Sequence, residues 1–250
     1  MHRLLVDTQT LSDVCAVLPT DAARHLHVVR PRDGEEIELF DACGASRLYR
    51  WSAAKNALEA CAPRRVAPVR PASVTLFACV TKGERWDWTI EKATELGASR
   101  LVPVLSERTI VRLDDHASCE AKRARWQKIA DEAMRQSHAL WRCEIVAPVG
   151  FAEALALCRE TVCFAGALVE PPAEPLLTAL ETRLPGAKSL SLFVGPEGDF
   201  TPEELSALLK VAVPASFGAR VLRAETAAIY GLTVIMAALD AVGRRKEGVT

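Results

Sequence analysis

Two short loops hold the residues of this 250-residue chain whose types and spacing could do chemistry. Gly195-Pro196-Glu197-Gly198-Asp199-Phe200 follows the apolar run from Ser189 to Val194. Gly218-Ala219-Arg220-Val221-Leu222-Arg223-Ala224-Glu225-Thr226-Ala227 follows the run from Val213 to Phe217. Glycine lets a ligand approach the backbone closely and leaves amide N–H groups available to it. In the second loop Arg220, Arg223 and Glu225 set two guanidinium groups and a carboxylate beside that backbone. The functional reading places these guanidinium groups and this carboxylate beside a backbone-lined pocket. The plainer alternative is a solvated helix start, with Glu225 favourable against the positive end of the helix dipole.

Familiar nucleotide and hydrolase signatures are missing. Val74–Val80 reads as a strand, but Thr81-Lys82-Gly83-Glu84-Arg85 after it does not make a dinucleotide-binding glycine fingerprint, and there is no P-loop. No Gly-x-Ser-x-Gly elbow and no Cys/His pair offers a nucleophile. The eight cysteines never form Cys-x-x-Cys, and Cys79 and Cys163 sit in apolar runs, so reduced buried thiols of a cytosolic protein are expected. His25 and His27, two apart on a short helical stretch, point to different faces, and no metal is expected.

The elements that must carry the loops fall into two patterns. Residues 1–61 read as short strands with one helix: Arg3–Val6, a helix from Asp21 to Val29 capped by Thr20, then Glu36–Phe40, Ser46–Trp51 and Asn56–Cys61. That spacing predicts a small barrel. Pro63, Pro68 and Pro71 with Arg64, Arg65 and Arg70 read as a stiff linker over 62–72. From Ser73 strands alternate with helices, which predicts a largely parallel sheet covered by helices. Thr201, Pro202 and Glu204 spell a capping box after the first loop. The last helix, Glu225–Arg245, is apolar nearly all round (Ile229, Tyr230, Leu232, Val234, Ile235, Met236, Leu239) and must be buried in the chain or in a subunit interface.

Net charge is −1, divided as +1 over residues 1–70 and −2 over the rest, so nucleic acid would have to be met by local patches. Arg30, Arg32, Arg47, Arg50, Arg64 and Arg65, with Tyr49 and Trp51 interleaved, form the best such patch. Lys122, Arg123, Arg125 and Lys128 read as a solvated helix face, as do Glu91, Lys92 and Glu95. The start of the chain mixes charge and polarity, and Thr233 and Asp240 interrupt the apolar stretch Ala227–Val242. A soluble, cytoplasmic protein without a signal peptide or membrane span is therefore expected.

With these residues in view, the chain resembles the RsmE group of SPOUT methyltransferases. Gly195–Phe200 and Leu222–Ala227 are similar to that family's two signature loops. Arg3, His25-Leu26…Val28-Val29-Arg30 and Gly34…Phe40-Asp41…Gly44 match its amino-terminal domain. Lys82-Gly83, Glu91 to Gly97, Pro103, Ser106-Glu107-Arg108 and Trp126…Ile129…Glu132-Ala133…Gln136 match its second domain. The resemblance implies a PUA-like β-barrel over 1–71 that binds RNA and an α/β SPOUT domain over 72–250 with a trefoil knot, in a homodimer. It also implies methylation of N3 of a uridine in small-subunit ribosomal RNA, free or assembled, with S-adenosylmethionine as cofactor and no metal. On that reading the cofactor lies among Leu168, Glu170, Phe193, Val194, Gly195, Glu197, Gly198, Phe217, Gly218, Val221, Leu222 and Thr226. Arg3, Arg30, Arg32, Lys82 and Arg108 are then expected to meet RNA, and Arg223, Arg220 and Glu225 to carry catalysis. Two positions depart from the family pattern: Asp199 stands where a second glycine is usual, and Ala139 where an arginine is common. Other readings remain: a related RNA methyltransferase with another target, or a noncatalytic RNA-binding factor of ribosome assembly.

Overall fold

The computed structural model describes residues 2–12, 14–68, 72–112, 115–158 and 162–246. The end of the expected linker, 69–71, and Thr161 lie outside the described residues. The chain divides into two compact units, one of residues 1–69 and 134–142, the other of 70–133 and 143–250.

The first unit contains β1 (His2–Leu5), β2 (Cys15–Ala16), α1 (Thr20–Val29), β3 (Glu36–Phe40), β4 (Ala45–Ser52), β5 (Ala57–Ala60) and β6 (Arg65–Val66). They form one sheet in the order β1-β3-β4-β5-β2, with β6 on β4; β1 and β3 run parallel and the other pairs antiparallel. Leu4, Leu11, Ile37, Leu39, Tyr49 and Leu58 make its core against Ala22 and Leu26 of α1. Several expectations change here. Thr20 opens α1 rather than capping it, since Pro19 holds the cap position without a side-chain bond. Residues expected in the linker instead form β6, and Ala67 N donates to Gly44 O. Tyr49 leaves the proposed surface patch altogether: it is fully buried, and its hydroxyl donates to Thr10 O at 3.1 Å.

Segment 134–142 joins this unit for a packing reason that local pattern does not carry. Met134 is buried with Phe40 and Ala42, and Leu140 and Ala139 pack on that cluster. Trp141 bridges Cys43, and a Cβ at Gly44 (φ +100°) would sit 2.4 Å from the indole. Ala139 is therefore a packing position in this chain.

The second unit comprises β7 (Ser73–Cys79), α2 (Glu84–Leu96), β8 (Arg100–Leu105), α3 (His116–Gln136, whose last residues count with the first unit), β9 (Glu144–Ile145), β10 (Val149–Gly150), α4 (Phe151–Leu157), β11 (Val162–Gly166), α5 (Leu176–Arg183), β12 (Ser189–Val194), α6 (Pro202–Leu208), β13 (Val213–Ala215) and α7 (Ala224–Lys246). The sheet order is β10-β8-β7-β12-β11-β13, with β9 on β8, and every pairing is parallel. Alternation along the strands divides the core between the two faces. Leu76, Leu190 and Leu192 pack with α2, α5 and α7, whereas Phe77 and Phe193 pack with α4 and α6. Phe77 and Phe193, paired in register, stack with ring centroids 4.3 Å apart.

Among the described residues, one stripe of α7 is buried: Ala224, Ala228, Gly231, Leu232, Ile235 and Leu239. Thr226, Tyr230, Thr233 and Ala237 lie on the uncovered side. Over Ala224–Gly243 the helix has a mean hydropathy of 1.6 with 28% of the stretch buried, and it is long and apolar enough by length and composition to cross a membrane. The interruptions at Thr233 and Asp240 do not lower it below that limit, contrary to expectation.

Candidate active site

Because the strands of the second unit are parallel, the loops after β7, β8, β11, β12 and β13 all leave the same edge of the sheet, where ligands of such sheets bind. That edge therefore gathers Lys82, Arg108, Leu168, Glu170, the Gly195 loop and the Gly218 loop.

The first loop is held from three directions. At its far end Thr201 Oγ1 accepts from Glu204 N at 3.2 Å and Glu204 Oε2 accepts from Thr201 N at 3.1 Å, which is the capping box read in the sequence. Glu204 Oε1 also accepts from Glu107 N at 2.9 Å, tying the segment after β8 to α6. Arg108 Nη1 donates to Gly198 O at 2.8 Å and Phe200 O at 3.3 Å. Arg108, expected to meet RNA, thus clamps the backbone of the first loop; sequence pattern could not place it across from Gly198, 90 residues away. Within the loop Asp199 takes φ +58°, the left-handed region its usual glycine would occupy without strain. Aspartate is among the residues that tolerate this region, and its Oδ1 accepts from Phe200 N at 2.8 Å. Gly195 is buried, and a Cβ there would lie 3.2 Å from both Asp199 Oδ1 and the Phe200 ring, so a side chain would deform the loop itself.

The second loop is anchored by a ring. Phe217 lies between Gly166, where a Cβ would come within 2.5 Å of it, and Gly231 of α7, where a Cβ would come within 2.9 Å. The ring is also 5.5 Å from Tyr230. Beyond it Gly218 adopts φ +105°, and its N–H donates to Ser216 Oγ at 3.2 Å. Arg220 and Arg223 are exposed, and Ala227 N donates to Arg223 O as α7 begins. Leu168 and Val221 are exposed at 66% and 79%, apolar surface left open at this edge.

Arg85, at the start of α2, joins the two loops and had no signal in the sequence beyond its place after the first α/β strand. Its Nη1 is 3.6 Å from Glu197 Oε1 and its Nε is 3.9 Å from Glu225 Oε1. The Glu225 side chain is only 12% exposed, and its Oε2 is buried without a hydrogen-bond partner. A buried carboxylate oxygen left unpaired is costly, and among the described residues this acceptor meets no donor.

Similarity to known proteins follows the same residues. The RNA methyltransferase domain family model matches residues 68–236. Ribosomal RNA small subunit methyltransferase E of Mycobacterium bovis is 33% identical over 244 residues, covering 94% of this chain and 92% of its own length. The Synechocystis protein of the same name is 31% identical, covering 96% and 78%. This chain belongs to the ribosomal RNA small subunit methyltransferase E family. It is accordingly an RNA methyltransferase of the SPOUT type, with the α/β sheet-and-helix fold of its structural relatives. Among them, the Neisseria gonorrhoeae family member bound to S-adenosyl methionine is 28% identical with a TM-score of 0.78 and covers 97% of this chain and 98% of its own. A Legionella pneumophila methyltransferase in complex with the cofactor SAM is 25% identical with a TM-score of 0.78, covering 94% and 97%.

Two expectations need revision. Arg3 does not face RNA: it is 6% exposed, with Nε donating to Glu38 Oε2 at 2.6 Å, Nη1 to the Met134 and Arg135 carbonyls, and the guanidinium 4.3 Å from the Phe40 ring. Its cation meets the negative end of α3. Phe217 packs its ring against Gly166, Gly231 and Tyr230 while the residue stays half-buried. Ile235 is fully buried within the chain, so it cannot belong to a subunit interface. Arg30, Arg32 and Lys82 are exposed.

Proposed function

We propose that this family member methylates N3 of a uridine in small-subunit (16S) ribosomal RNA at the edge defined by the Gly195 and Gly218 loops. That the cofactor is S-adenosylmethionine and the substrate class small-subunit ribosomal RNA follows from family membership. The residues fit that cofactor: exposed glycine backbone at Gly198 and Gly218, exposed Leu168 and Val221, and a carboxylate oxygen without a partner among the described residues. Leu168, Glu170, the backbones of Phe193, Val194 and Gly195, Glu197, Gly198, Phe217, Gly218, Val221, Leu222 and Thr226 would hold it. When bound, S-adenosylmethionine supplies an electrophilic methyl group.

The chain's own residues must ready the uracil. Its N3 carries an imide proton and becomes nucleophilic as that proton leaves. Glu225, with Oε2 buried and unpaired among the described residues, is the acceptor for it, and Arg85, itself paired with Glu197, holds Glu225 in place. Arg223 and Arg220, exposed on the same loop, supply positive charge for O2 and O4 as the negative charge spreads onto them. The observation that carries this reading is Arg85 set between one carboxylate of each loop. Its test is single-turnover methylation of 16S ribosomal RNA beside calorimetric S-adenosylmethionine binding. Arg223→Ala should slow transfer on the order of a hundredfold with cofactor affinity nearly unchanged; a wild-type rate in that variant overturns the assignment.

The finer architecture is part of the proposal: a PUA-like RNA-binding barrel for the first unit, a trefoil knot in the second, and a cytoplasmic homodimer. The dimer is supported by the uncovered side of α7, where Thr226, Tyr230, Thr233 and Ala237 would meet a second copy.

A further inference from the structure

The first unit contains a cavity of about 460 Å³ between α1, the edge strand β2 and the β4–β5 turn. Its walls are apolar, built from Ala16, Leu18, Ala23, Leu26 and Leu58. Half-exposed Trp51 forms one side, and Arg30, His27 and Asn56 are its polar lining. Arg30 ends α1 in the left-handed conformation at φ 50°, and Asn56 takes φ 47° in the turn. Among the described residues, the side chains of Arg30, His27 and Asn56 make no hydrogen bond or ion pair, and no carboxylate lines the space.

We infer that this cavity takes one unstacked base of the RNA substrate, a nucleotide other than the one that is methylated. The inference rests on the reading of this unit as RNA-binding. A base is flat and apolar on its faces and polar at its edge, which matches apolar walls with an amide and an imidazole set among them. Single-stranded RNA is recognised by stacking splayed bases on aromatic side chains, and Trp51 offers that surface. The Arg30 guanidinium at the helix end suits the adjoining phosphate, and the described lining holds no carboxylate to repel it. A cavity built for an apolar peptide side chain would have no use for three unpaired polar groups.

The test uses the full-length protein and a fluorescently labelled 16S ribosomal RNA transcript. Ala23→Phe fills the cavity from α1 without removing a charge. It should raise the Kd roughly fivefold or more, the effect of losing one stacked base, with the salt dependence of binding unchanged. Arg30→Ala with Arg32→Ala should instead weaken binding and flatten its salt dependence. In the wild-type protein, Cys15, exposed and lining the same cavity, should be alkylated more slowly when the transcript is bound. This footprint needs no variant to fold, and a wild-type circular dichroism spectrum and cooperative thermal melt check that Ala23→Phe does. An Ala23→Phe protein with wild-type Kd, or a Cys15 rate indifferent to RNA, overturns the cavity assignment. If the double arginine variant still weakens binding, the unit's RNA-binding role survives that failure; if it does not, that broader reading falls as well. A loss seen with assembled small subunits but not with the transcript would assign the cavity to a protein segment and overturn the proposal.

Discussion

Replacing Gly166 with alanine should disturb the active site from beneath. The new Cβ would stand 2.5 Å from Cε2 and Cζ of Phe217, closer than such carbons approach. The ring cannot slide away freely, because Gly231 on α7 has its own Cβ direction 2.9 Å from Cζ and 3.5 Å from Cε1. Forcing a methyl into a packed site costs about 1–3 kcal/mol. At about 2–4 °C per kcal/mol for a chain of this size, the melting midpoint should fall by roughly 4–8 °C for a cost near 2 kcal/mol. Gly231→Ala meets the same ring and Leu192 Cδ2 at 2.6 Å, but it gains about 1 kcal/mol of helix propensity and should cost less. Since Gly218 follows Phe217 directly, S-adenosylmethionine affinity should fall with stability in Gly166→Ala. The assay is thermal melting with calorimetry for both single variants, for Phe217→Leu, and for Gly166→Ala with Phe217→Leu. The smaller side chain should absorb the methyl, so the double variant should lose less than the sum of its parts. Strict additivity, or wild-type melting and affinity in Gly166→Ala, would refute the argument that these two glycines exist to seat the ring.

Other outcomes follow from the same contacts. Arg85→Ala should change stability by less than about 1 kcal/mol, because its ion pairs are long and half-exposed, yet slow single-turnover methylation roughly tenfold or more by releasing Glu197 and Glu225; Arg85→Lys should recover part of the rate. Ala237→Arg, on the uncovered side of α7, should shift sedimentation from dimer to monomer at micromolar concentration while leaving the melt of the monomer cooperative, whereas Ile235→Glu should unfold the chain. Burial pushes the Cys79 thiol up to about 12, so it should stay protonated and resist iodoacetamide through pH 10 in the folded protein and react only on unfolding; reaction at pH 8 at the rate of exposed Cys61 would contradict that burial.

Much of this molecule is legible without coordinates. Strand–helix alternation after Ser73 dictates a parallel sheet, and parallel strands send their connecting loops to one edge, so the meeting of the two glycine loops follows from pattern alone. The capping box at Thr201 and Glu204 is legible for the same reason, since its partners are three residues apart and the interaction is local. The roles of charged side chains are a different matter. Arg3 and Arg30 look alike in the sequence, yet one is buried against Glu38 and the carbonyls of Met134 and Arg135 while the other lines an open cavity. Arg108 reads as an RNA contact until it is found across from Gly198, and Arg85 has no signal until Glu197 and Glu225 converge on it. Tyr49 reads as surface aromatic until β4 turns it into the core. Which face of a strand turns inward, and which distant backbone lies within reach of a guanidinium, depends on pairing between segments tens of residues apart. A sequence carries local periodicity directly, but it carries those long-range contacts only through the packing that brings the segments together.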